Sequence, residues 1–81
     1  MSENNEIMID VISRVLNVEA ETITDEMSPQ NMPFWNSFNG ISIVSELEKE
    51  FSVHFSIEEV YVVTSVKEIR EALNRHNVSF E

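Results

Sequence analysis

The stretch that decides the fold is Trp35-Asn36-Ser37-Phe38-Asn39-Gly40-Ile41-Ser42-Ile43-Val44-Ser45-Glu46-Leu47-Glu48-Lys49-Glu50-Phe51. Asn36 has a side chain suited to accept from the orphan amides of a following helical turn. Beyond it, Ile41, Val44, Leu47 and Phe51 recur at helical spacing, with Glu46, Lys49 and Glu50 on other faces. The pattern predicts a helix over Ser37–Phe51. Ile43 and Val44 are neighbours that cannot both face the core squarely, so one is expected at the surface; Ile43 is the expected partner contact, with a partly buried groove residue as the other reading.

Upstream, Ile7, Met8, Val11, Ile12, Val15 and Leu16 line one face of another helix, roughly 6–16. Between the two helices, residues 17–35 lose the period. Thr22, Thr24, Asp25, Ser28, Pro29, Asn31 and Pro33 interrupt it, and the connection is long for a helical protein. A loop of that length has to be pinned, and Val18, Ile23, Met27, Phe34 and Trp35 are the apolar anchors expected to tuck under the bundle.

Downstream, Ser56-Ile57-Glu58-Glu59 and Ser65-Val66-Lys67-Glu68 each fit the capping-box pattern and each announce a helix. The first leads into a short helix with Val60 inward. The second leads into a longer one carrying Val66, Ile69, Ala72 and Leu73. Tyr61, Val62 and Val63 read as a buried run, with a partner-contact or acyl-contact edge as the other reading. Residues 76–81 read as a loose tail. The expected architecture is all-α: a four-helix bundle of three long helices and one short one, with a long loop between the first two, forming a single domain over 1–81.

Composition sets the outer limits. The chain has 81 residues, enough for one core, with no Cys for disulfides or thiolate metal sites, one Gly and two Pro. Its first residues lack the basic-then-apolar pattern of a targeting segment, and no run is long enough to span a bilayer, so a cytoplasmic location is expected. Fifteen acidic residues against five basic ones give a net charge of −10. Such a surface repels nucleic acid and anionic lipid and favours partners with basic patches. A monomer is expected.

The sequence has none of the usual catalytic signatures: no GxSxG turn, Gly-rich phosphate loop, HExxH or calcium loop. His54 and His76 have no matching carboxylate spacing and are assigned no catalytic or metal role. Ser37 remains, a hydroxyl at a helix start. Taken by itself it is a helix-capping or helix-start serine, with a modification site as the alternative.

The run Ser37–Phe51 resembles the second helix of acyl carrier proteins, in which Asp-Ser-Leu is followed by an amphipathic helix ending in Leu-Glu-x-Glu-Phe. The resemblance extends to Ile23-Thr24-Asp25, to Ile57-Glu58-Glu59 and to Val66-Lys67-Glu68-Ile69, so that it spans nearly the whole chain. It implies a carrier, not an enzyme. A phosphopantetheinyl transferase would attach 4′-phosphopantetheine from coenzyme A to Ser37, and the arm would hold acyl groups as thioesters for fatty-acid, lipid or polyketide-type biosynthesis. The implied partners are that transferase, an acyl-loading ligase or synthase, and acyl-transferring enzymes with basic docking patches. The docking residues expected by the same resemblance are Asn36, Phe38, Ile43, Glu46, Glu48, Glu50 and Glu58, with no metal.

This sequence departs from the family pattern where it matters for docking. Asn36 stands for Asp, Phe38 for Leu, and Asn39 and Ser42 occupy positions commonly acidic. The first half of the second helix is therefore nearly uncharged, and its docking should be less steered by basic patches than that of a general fatty-acid carrier. Gly40 costs about 1 kcal/mol against Ala in a helix, and reads as drift, as close packing against Trp35 or the loop, or as room for the arm. Two alternatives remain: an unmodified adaptor that binds a basic partner through its acidic face, and a small hydrolase using Ser37 with a histidine, which has no oxyanion or base signature to support it.

Overall fold

A computed structural model of the chain describes residues 3–80, apart from the side chain at position 62. The described residues form α1 (Glu3–Leu16), a one-turn 3-10 helix (Ala20–Thr22), α2 (Ser37–Phe51), α3 (Ile57–Val62) and α4 (Val66–Arg75). The expected all-α arrangement of three longer helices and one short one is what the chain adopts, with the long connection between α1 and α2.

Several helix ends have a local cause. The Ser56 hydroxyl accepts from the Glu59 amide while Glu59 accepts from the Ser56 amide at 2.9 Å, a complete capping box for α3. At α4 the box is half formed. Ser65 accepts from the Glu68 amide, but the Glu68 carboxylate turns to the amide and hydroxyl of Thr64, at 3.1 and 2.7 Å. Three longer helices stop on left-handed residues: Asn17 after α1, Ser52 after α2 and Asn77 after α4.

The core is one cluster. α1 contributes Met8, Val11, Ile12 and Leu16, and α2 contributes Ile43, Val44 and Leu47. α4 adds Val66, Ile69, Ala72 and Leu73; Trp35 and Phe55 close it from the connections and Val78 from the segment after α4. Ile43 is only 1% exposed, which corrects the expectation that it sits at the surface. An apolar helical stripe is wide enough, at about 100°, to take two adjacent residues, so Ile43 and Val44 are both buried. Ile41, expected inward, is 61% exposed.

The long connection is pinned by backbone as much as by apolar anchors. The amide of Val66 donates to the Met27 carbonyl at 3.0 Å and that of Lys67 to the Asp25 carbonyl at 3.2 Å, so loop carbonyls satisfy two of the orphan donors at the start of α4. Arg70 on α4 reaches Asp25 at 2.7 Å and Asn5 on α1 at 3.1 Å. Val18, Ile23 and Met27 pack against the core and Trp35 is buried within it, as expected. Phe34 is not: residues 33 and 34 lie in a turn closed by the Trp35 amide on the Met32 carbonyl at 3.0 Å, and Phe34 is exposed there while Trp35 is buried.

Two further expectations are corrected. Val78 is buried, Phe80 packs on the core beneath Arg70, and Asn4 donates to the Ser79 carbonyl at 2.8 Å, so residues 76–80 are not a loose tail; residue 81 lies outside the described residues. Tyr61 is exposed and Val63 half-buried, against the expected buried run; the side chain of Val62 lies outside the described residues.

Candidate functional site

The start of α2 is set by Asn36. Its backbone is extended, its Oδ1 accepts from the Asn39 amide at 2.9 Å, and its carbonyl accepts from the Gly40 amide at 2.8 Å. In return the Asn39 side-chain amide donates to the Phe34 carbonyl, so the loop and the first turn are stitched in both directions. Ser37 is therefore the first helical residue and its side chain is exposed. The amides of Ser37 and Phe38 precede the first internal helix bond and point ahead of the helix. With the dipole they make the setting suited to an anion on the serine oxygen. No acidic side chain occupies this first turn to oppose it.

Beside Ser37 a groove of about 530 Å³ runs between α2 and α3. Trp35, Gly40, Ile41 and Val44 line it from the side of α2, and Ile57, Val60 and Tyr61 from α3; Asn36 and Ser37 also line it. The volume is that of a small-molecule site, and the lining is mainly apolar. Gly40 shapes the groove. A Cβ built there would stand 3.5 Å from Trp35 Nε1, so the missing side chain leaves the edge of the indole open to the groove.

α3, which supplies one wall, is short and is held by Glu59. That carboxylate accepts from the Ser56 amide at 2.9 Å and from His76 Nε2 at 2.9 Å, and His76 in turn stands edge-on to Phe55. The Ser56 amide first, and the His76 ring after it, hold the Glu59 carboxyl below the usual glutamate range against the opposing effect of burial. The Thr64 hydroxyl and amide do the same for Glu68 at the start of α4.

The structure brings Asn36, Ser37 and Phe38 together at one end of α2, with Phe38 77% exposed. The acidic residues lie on later turns. Glu46 stands 3.6 Å from Lys49, and Glu50 is exposed. Glu48 accepts from the Phe55 amide at 2.8 Å and lies 3.5 Å from His54, so it works as a clasp on the turn into α3. Glu58 is exposed on the first turn of α3. Neither histidine lines the groove, and among the described residues no three acidic or histidine side chains are grouped to hold a metal. No helix among them is long and apolar enough to cross a membrane.

Sequence reading assigns no place in the groove wall to Ile41 and Ile57, and assigns one to Tyr61 only as the alternative to burial. The signal was present in α3, where Ile57 and Tyr61 stand four apart on one side while Val60 faces the core. A six-residue helix with apolar residues on two sides cannot bury both.

No protein-family model matches the chain, and no curated protein matches it in sequence. Among solved structures, a candidate acyl carrier protein from Mycobacterium tuberculosis superposes with a TM-score of 0.81 over 90% of this chain and 97% of that one, at 19% identity. The likeness is one of fold: the chain adopts the helical fold of acyl carrier proteins.

Proposed function

We propose that the chain is an acyl carrier protein acting as a single carrier domain in the cytoplasm, with 4′-phosphopantetheine attached through the Ser37 hydroxyl. The observation that carries this reading is the position of Ser37: an exposed serine on the first turn of α2, at an apolar groove of about 530 Å³, within a carrier-type fold.

The residues present fit such a group. Ser37 offers the hydroxyl oxygen, the amides ahead of α2 favour the negative charge of a phosphodiester, and the groove offers apolar shelter beside it. When attached, the arm supplies a terminal thiol for thioester formation. The chain's own part is to hold the serine at a helix start, expose it to another protein's active site, and leave the first turn of α2 free of acidic side chains. No histidine of this chain lines the groove, so the proton leaving the Ser37 hydroxyl passes to the transferase. Function as a carrier in fatty-acid, lipid or polyketide-type biosynthesis follows on this reading, with a transferase and with acyl-loading and acyl-transferring enzymes as partners.

The test is intact-protein mass spectrometry after incubation with coenzyme A, magnesium and a broad-specificity phosphopantetheinyl transferase, beside Ser37→Ala. A gain of one phosphopantetheine in the parent and none in the variant is the expected result. No gain with any transferase tried would instead favour an unmodified adaptor.

A further inference from the structure

Four large apolar side chains stand around Ser37 with little cover: Phe38 and Ile41 on α2, Ile57 and Tyr61 on α3. Phe38 and Ile41 are three apart, and Ser37 and Ile41 four apart, so all three share one side of α2. Ile57 and Tyr61 are four apart and face Ile41 across the groove. Exposed apolar surface gathered at one place on a small domain marks an interface. Here its position says what covers it, because any protein that reaches the Ser37 hydroxyl comes into contact with Phe38, on the adjoining residue, and with Ile41, one turn on.

Charge points the same way. From Ser37 to Ser45, α2 has no ionisable side chain. Its acids begin at Glu46, where one is near Lys49 and the next, Glu48, is clasped to the Phe55 amide. On α3, Glu59 is held by Ser56 and His76, leaving Glu58 as the exposed acid of that turn. A basic patch laid over the first half of α2 would lose hydration and meet no counter-charge.

Resting on the assignment of Ser37 as the attachment site, we infer that the proteins acting on it, the phosphopantetheinyl transferase first, grip this chain through an uncharged apolar collar. The collar seats Phe38, Ile41, Ile57 and Tyr61, and no row of lysines or arginines along α2 is required. Recognition of this kind draws its energy from a few buried aromatic and aliphatic anchors and is little screened by salt.

The experiment measures KM and kcat for phosphopantetheine transfer to the full chain by a broad-specificity transferase, from about 0.05 to about 0.5 M salt. Phe38→Ser, Ile57→Ser and Tyr61→Ser are each expected to raise KM by roughly tenfold or more, with Phe38→Leu restoring most of the loss. Salt is expected to change KM less than about twofold. Because these side chains are exposed, circular dichroism should show each variant folded like its parent. A steep rise of KM with salt, or a larger loss on Glu46→Gln and Glu50→Gln than on Phe38→Ser, would overturn the collar. So would sedimentation of the unmodified chain as a dimer that Phe38→Ser dissociates, since a second copy would then be the occupant. If the parent chain is not modified at all, the assignment of Ser37 fails before any variant is compared, and the two failures are thereby distinguished.

Discussion

Nε2 of His76 lies 2.9 Å from Oε2 of Glu59, joining the end of α4 to the capping box at the start of α3. One carboxylate thus caps the start of α3 and holds the side chain of the residue that follows α4, and the wall of the groove depends on it. Glu59→Ala removes both contacts and is expected to cost about 1–2 kcal/mol at neutral pH, as loss of a cap and of a half-buried ionic hydrogen bond. Urea unfolding reads this directly.

The same carboxylate gives a pH dependence of known sign. A carboxyl held below its ordinary range in the folded state contributes stability that is fully present above that range and is lost as pH falls through the folded value. Glu59→Gln keeps a capping acceptor and removes the charge. The stability gap between parent and Glu59→Gln should therefore be larger at about pH 6 than at about pH 3. A gap that does not change with pH would contradict the assignment.

Gly40 lies in α2 without a left-handed backbone, and an added Cβ would make an ordinary contact with Trp35. Gly40→Ala is expected to stabilise the chain by roughly 0.5–1 kcal/mol through helix propensity. The midpoint of denaturation followed by Trp35 fluorescence checks it, and a lowered midpoint would mean that the indole cannot yield.

Ser52 ends α2 at φ 55, a conformation that costs a residue with a Cβ. Ser52→Gly should gain about 0.5–1 kcal/mol, or a few degrees in thermal midpoint for a domain of this size. Asn17→Gly and Asn77→Gly should gain less, because asparagine tolerates the left-handed region. Equal gains at all three sites would count against backbone strain as the cause.

Arg70 bridges Asp25, Asn5 and the ring of Phe80. Arg70→Ala is expected to cost about 1–2 kcal/mol and to raise hydrogen exchange in residues 24–28 above that of the α1 core. Unchanged exchange there would show that the loop is held by its backbone contacts alone.

The helices were legible because their apolar residues repeat at helical spacing and their starts carry Asn36, Ser56 and Ser65. What spacing does not report is which side of a helix another element closes over. Ile41 belongs to the apolar side of α2 by pattern, yet short α3 leaves it facing the groove. Ile43 was misplaced by treating the buried stripe as one residue wide. The cap formed by Glu59 is legible in the Ser56–Glu59 pattern, but its tie to His76 and the roles of Glu48 and Arg70 are not, because those partners lie seven or more residues away and no local pattern encodes them. Ser37 stood out in the sequence; the apolar rim around it emerged only when α2 and α3 were seen side by side.

α4 starts on carbonyls lent by Asp25 and Met27, so the connection between α1 and α2 and the last helix order each other. Neither can be regarded as a separate module. A chain opened within residues 25–27 would keep every helix-forming segment intact and still lose two acceptors at the head of α4, and the wall built on Trp35 would be tied to one fewer fixed point. What looks like slack between helices is the hinge pin of the bundle: beside the cap from Ser65, it supplies the two acceptors that seat the first amides of the last helix.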